Sequence, residues 1–101
     1  MTVASPRERL RDLIVDLAVV RGRVTLASGR EADYYIDLRR VTLHHEAAPL
    51  VGHCLLDLLE ESGFGPGKID AVGGLTLGAD PVAAALLHSA AAKDLSLDAF
   101  V

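Results

Sequence analysis

The residues best suited to chemistry in this chain lie between Leu26 and Arg40, in the run LASGREADYYIDLRR. Ser28-Gly29-Arg30 places a guanidinium on a glycine turn, where its planar fork can grip a carboxylate or phosphate at two points. Pairing of Arg30 with Glu31 or Asp33 as an ordinary solvated loop ion pair is the competing reading. The only two tyrosines follow side by side, Tyr34 and Tyr35. Neighbours in a strand face opposite ways, so only one of the rings can readily join a core. A flat, charged heterocycle clamped by Arg30 and stacked on a tyrosine would use both features. Alternatively, both rings cover the ends of a sheet with their hydroxyls in water.

A second candidate is VGGLTLGADP, Val72 to Pro81, a glycine-bearing loop that runs from a strand into a helix. Backbone N–H groups at such a helix start can hold a phosphate, and glycine lets the main chain come close. The run matches neither established glycine-rich nucleotide motif. A tight turn with Asp80 as helix cap explains it equally well, and Asp80 carries the wrong charge for an anion unless a metal comes with the ligand.

The remaining reactive side chains offer less. His44 and His45 are adjacent, and His53 and His88 sit on different predicted helices, so no metal-ligand spacing exists and helix-surface histidines are expected. Cys54 falls within an apolar stripe and reads as a small core hydrophobe. No Ser/His/Asp arrangement has support.

The elements that must position these residues follow from periodicity and punctuation. Ser5-Pro6-Arg7-Glu8 reads as a capping box, and Leu10, Leu13, Ile14, Leu17 and Ala18 continue it at helical spacing, predicting a helix over Pro6 to Val20 that Gly22 ends. RVTLAS and YYIDLRR read as two extended segments joined through Gly29. Thr42 is expected to cap a second helix, with Ala47, Leu50, Val51, Cys54, Leu55, Leu58 and Leu59 on its apolar stripe and Gly63 at its end. GFGPGK is a turn, IDAVGGL a buried strand, Asp80-Pro81 the start of a third helix, and LSLDAFV another strand. The order contains a β-α-β unit, whose parallel sheet wants helices on both faces. Its last strand reads as an uncovered apolar edge at the end of the chain.

Length and composition agree with one α/β domain. A chain of 101 residues buries roughly 60–65% of its unfolded surface. Half of the residues are apolar, yet aromatics make up only 4%, so Leu, Val, Ile and Ala must fill the core. Ten basic against fourteen acidic residues give a net charge of -4, which argues against nucleic acid as a partner. A lone cysteine allows no internal disulfide, and MTVASPRERL has no apolar run behind its charges to act as a secretory signal, so a cytoplasmic location is expected. The most apolar run, Val82 to Leu87, is too short to cross a bilayer, and no membrane partner is expected.

Taken together, VTLASGREADYYIDLRRVTLHH and DAVGGLTLGADPVAAALLH resemble the N-terminal half of orotate phosphoribosyltransferase, in the form found in high-GC Gram-positive bacteria. The resemblance runs through nearly all of the chain and rests on several motifs in one order and spacing. It implies the α/β fold of a type I phosphoribosyltransferase, with a small hood over residues 1–40 and the start of the core sheet over 41–101. It implies a glycosyltransferase reaction of pyrimidine (UMP) biosynthesis, in which orotate and 5-phosphoribosyl 1-diphosphate (PRPP), with Mg2+, give orotidine 5'-monophosphate and diphosphate.

By the same resemblance, Tyr34 and Tyr35 contact orotate, Ser28, Gly29 and Arg30 form the adjoining wall, and Leu77 and Gly78 lie against the diphosphate of PRPP. Many family members carry a lysine where Ala27 and Gly78 stand here. The family's basic mobile loop, acidic pair and ribose-phosphate cradle would follow Val101, so the expectation is a truncated gene product, a homodimer when full length, with no catalytic or metal-binding residue of its own and negligible turnover alone. The alternative is a non-catalytic module retained to bind a pyrimidine or to pair with a full-length subunit.

Overall fold

A computed structural model describes residues 3–101. Helix α1, Pro6–Leu13, opens where predicted: Ser5 Oγ accepts from the Glu8 amide at 3.1 Å, and Pro6 occupies the first turn, where its missing N–H costs nothing. The predicted continuation to Val20 is corrected. From Ile14 to Ala18 the coil widens into a π-helical turn, closed by the Val19 amide on the Ile14 carbonyl. Val19 and Val20 leave it to become the start of strand β1, Val19–Thr25. They are β-branched, and pairing with Ile36 and Tyr35 gives their backbone a ladder instead of a strained helical end.

Strand β1 forms an antiparallel hairpin with β2, Glu31–Ile36. The extended segments therefore begin and end several residues before the predicted ones, and Leu26 to Arg30 is the turn. Gly22 does not end a helix. It sits inside β1 at φ 138, where the register slips between Arg21↔Tyr34 and Val24↔Ala32, so that Gly22 and Arg23 face Asp33 alone. A bulge of this kind bends the strand, and a residue with a Cβ rarely adopts that φ.

Beyond β2 the chain turns into a short helix, α2, Arg39–Thr42, where the sequence suggested continued strand. Thr42 ends α2 and does not cap the next helix. That role falls to His44, whose Nδ1 accepts from the amides of Glu46 and Ala47, each at 3.2 Å, just where helix α3, Ala47–Glu61, begins. His44 is therefore more than a surface histidine. Helix α3 ends before Gly63 as predicted. Its largest fully buried side chain is Leu56, at 0% exposure, which the predicted stripe omitted, while Leu58 within that stripe is 47% exposed.

The β-α-β unit is present: β3, Ala71–Gly73, and β4, Asp98–Phe100, pair in parallel and are joined by helix α4, Asp80–Ala92. The sheet is not buried on both faces as predicted. Every residue of β4 is exposed, and in β3 only Val72 is half-buried, because a two-stranded ribbon with one helix packed on it has no second covered layer.

Two apolar clusters hold the molecule together. Leu13, Ala18, Val41 and Ala47 centre the first, Leu56, Leu86, Ala90 and Leu97 the second, and α3 contributes to both along its length. Helices α3 and α4 approach closely at Gly52, where a Cβ would collide with the Ala85 carbonyl and stand 2.5 Å from Ser89 Oγ. The radius of gyration, 15.5 Å, exceeds the ~13 Å of a compact chain this long. The excess matches the apolar side chains left in water, among them Leu43, Leu77, Phe100 and Val101. Among the described residues no helix is long and apolar enough to cross a membrane.

Candidate functional site

The hairpin decides where the aromatic pair points. Tyr35 stands opposite Val20 and Tyr34 opposite Arg21, so alternation along β2 sends their rings to opposite faces. Tyr35 is half-buried and, with Val24, Thr25, Leu26 and Ala27, lines an open cleft of about 390 Å³. Tyr34 does not line this cleft and is 53% exposed.

Ser28, Gly29 and Arg30 continue directly from the Ala27 wall as the hairpin turn. The Leu26 amide donates to the Arg30 carbonyl at 2.7 Å, the Gly29 amide to the Leu26 carbonyl at 2.9 Å, and the Arg30 amide to Ser28 Oγ at 3.4 Å. The three residues shape the rim of the cleft without lining it. Of the two partners considered for Arg30, Glu31 is taken by Arg23 across the hairpin at 2.6 Å, and Arg30 makes no ion pair among the described residues.

Leu77 and Gly78 lie in the loop at the carboxyl end of β3, the end at which open parallel sheets offer a crevice. With Arg39, Leu43 and Pro81 they line a second cavity of about 350 Å³. A Cβ on Gly78 would meet nothing within 4 Å, so the main chain there is open to an approaching group. The Thr76–Leu77 peptide is cis. Asp80 does not cap α4 with its side chain. It forms the first turn, and its Oδ1 accepts from Thr76 Oγ1 at 3.2 Å, which closes the loop on itself.

Sequence reasoning assigned no role to the residues that connect these two places. Asp37, at the end of β2, accepts at Oδ1 from the Arg39 amide at 3.3 Å and from Arg39 Nε at 3.0 Å, and at Oδ2 from Arg39 Nη2 at 3.3 Å. Arg40 Nε adds a weaker contact at 3.6 Å. The hydrogen bond from Arg39 is the main reason the Asp37 carboxyl is held below the usual aspartate range. In return Asp37 raises the Arg39 pKa, first through that bond and then through its charge, and the Tyr35 phenol adds to the rise. Arg39 forms a wall of the Leu77–Gly78 cavity. An Asp-Leu-Arg-Arg run, separated from the tyrosines by Ile36 alone, is the one signal in the sequence that could have drawn attention to it.

Other hollows fit the chemistry less well. A larger groove of about 440 Å³ between α1, α2 and α3 includes Arg7, Leu10, Val41, Cys54 and Leu55 and is almost wholly apolar. Burial pushes the Cys54 thiol up, away from the reactive thiolate, in line with its reading as a packing residue. A hollow beside the amino ends of β3 and β4 presents Asp70 and Asp98, the wrong charge for an anionic substrate. Among the described residues no three His, Cys, Asp or Glu side chains come together as a metal site.

No family model matches the chain. Individual relatives do. The chain is 64% identical over 95 residues to the orotate phosphoribosyltransferase of Streptomyces avermitilis and 53% identical over 95 residues to that of Mycobacterium tuberculosis, covering 94% of this chain in each case and 50% and 49% of the relatives. Among solved structures, the Mycobacterium tuberculosis orotate phosphoribosyltransferase in complex with inorganic phosphate superposes with a TM-score of 0.80 at 51% identity, covering 95% of this chain and 52% of that one. The same enzyme in complex with PRPP gives a TM-score of 0.78 at 46% identity, covering 96% and 52%. The chain spans about half the length of the curated relatives it matches. Over nearly all of its own length it is a homologue of the orotate phosphoribosyltransferases, with the α/β architecture of part of their fold.

Proposed function

We propose that this chain carries the orotate-facing and diphosphate-facing portion of an orotate phosphoribosyltransferase. That glycosyltransferase joins orotate to the ribosyl carbon of PRPP and releases diphosphate, giving orotidine 5'-monophosphate on the route to UMP. The observation that carries this reading is the match to proteins of that name over 94% of the chain, with the cleft and the loop cavity both falling inside the matched region. In this reading the pyrimidine ring lies against Tyr35 between Val24 and Ala27. The rim formed by Ser28, Gly29 and Arg30 faces the orotate carboxylate, and Tyr34, on the other face of the hairpin, flanks this cleft without lining it. Leu77 and Gly78 meet the diphosphate through the main chain.

The described residues do not form a resident Mg2+ site, since the loop offers the single carboxylate of Asp80, already engaged by Thr76. Mg2+ would arrive with the PRPP diphosphate and would supply charge neutralisation there. The working protein is a cytoplasmic homodimer with small-molecule partners. The chain spans half the length of its relatives, so substrate binding is what its own residues are assigned, and turnover is assigned to the whole enzyme.

Isothermal calorimetry of the 101-residue chain with orotate tests the reading. Saturable one-to-one binding supports it. A folded chain that gives no orotate heat at millimolar ligand contradicts it.

A further inference from the structure

The loop from Gly73 to Pro81 contains no lysine or arginine and one aspartate. It can offer a polyanion backbone N–H groups but no positive charge. Among the described residues, Arg39, from the far end of the hairpin, is the only cationic side chain on the wall of the loop cavity. Its Nε and Nη2 are engaged by Asp37, whereas Nη1 makes no hydrogen bond among the described residues. Leu43 and Leu77, both on that wall, are left 71% and 74% exposed with no packing role to explain them.

We infer that Arg39 is the cation that receives the diphosphate end of PRPP, held toward the Leu77–Gly78 loop by Asp37, an assignment that rests on the proposed function. The chemistry is consistent at each point. A guanidinium anchored through one edge keeps its other edge for a phosphoryl oxygen, and less side-chain freedom is lost when the ligand arrives. Gly78 leaves room for the same oxygen to reach the main chain. Asp37 acts as the positioning residue and touches no ligand.

The test is calorimetry of the 101-residue chain with inorganic diphosphate in one series and orotate in another, for wild type, Arg39→Ala and Arg39→Lys. The assignment predicts that Arg39→Ala weakens diphosphate about tenfold or more, the usual loss for a charged hydrogen bond, while orotate affinity and the thermal midpoint stay close to wild type. Arg39→Lys recovers part of the affinity, as a charge without the fork. Diphosphate bound equally by wild type and Arg39→Ala overturns the assignment. Wild type that binds orotate but no diphosphate also overturns it and leaves the orotate reading standing. Diphosphate binding that depends on Arg39 without any orotate binding sustains the anion site and removes the proposed function instead.

Discussion

Arg9 and Glu46 meet at two points, Nε to Oε2 and Nη2 to Oε1, each at 2.8 Å, and so tie the first helix to the residue just before α3. Both side chains are more than 40% exposed, which makes the pair a clasp of small energy. Its geometry, however, is the bidentate one, and the hydrogen bond from Arg9 is what holds the Glu46 carboxyl below its ordinary value of 4.5. As pH falls through 4.5 the unfolded chain takes up the proton before the folded one does. The contribution is therefore complete above about pH 4.5 and is lost below it as the pH approaches the folded value. Urea titrations from about pH 6 down to about pH 3 should show stability falling on the acid side, with a shallower fall in Arg9→Met. Asp37, lowered from 3.8, supplies part of the remaining slope, so the variant flattens the curve without abolishing it.

Helix α3 packs on α4 through a contact with no room for a methyl group. Gly52→Ala would place its Cβ against the Ala85 carbonyl, and backbone rather than a movable side chain is the obstacle. Overpacking of this kind costs about 1–3 kcal/mol, a large fraction of the stability of so small a domain. Gly78→Ala, with nothing within 4 Å of its Cβ, should change stability by no more than about 0.5 kcal/mol. Thermal unfolding of the two variants side by side checks the contrast.

The ring of His44 holds two amides at the start of α3. His44→Ala should cost about 1 kcal/mol, as the loss of a helix cap does, and His44→Asn should restore most of it. Chemical denaturation midpoints of the three proteins decide the point. His45, whose ring lies 4.4 Å from that of His44 and tilted 34° to it, is the control, since it accepts from neither amide.

Local chemistry was legible where local chemistry decides the structure. Ser5, the turn at Gly29, the glycine loop before α4 and the parallel pairing of β3 with β4 all follow from short-range signals. The misses come from partners that the local pattern does not name, some distant and some, like Thr76 for Asp80, only four residues away. Val19 and Val20 fit a helical pattern until Tyr35 and Ile36 offer a ladder, and Asp80 fits a cap until Thr76 approaches it. Leu56 lay outside the predicted stripe because α3 faces two clusters and no single period describes both. The candidate site divides in the same way. The tyrosine pair and the glycine-bearing loop stand out in the sequence by type and neighbours, and Leu77 and Gly78 within that loop by the family resemblance, but Arg39 gains its place only when the end of the hairpin meets the loop before α4.

The most direct measurement is orotate affinity of the 101-residue chain with each tyrosine removed in turn. Tyr35 forms the cleft and Tyr34 points to the other face, so Tyr35→Ala should weaken orotate about tenfold or more, the usual scale for a lost stacking contact, and Tyr34→Ala should weaken it less. Wild-type affinity retained in a folded Tyr35→Ala chain would contradict the placement of the pyrimidine, and with it the site described above.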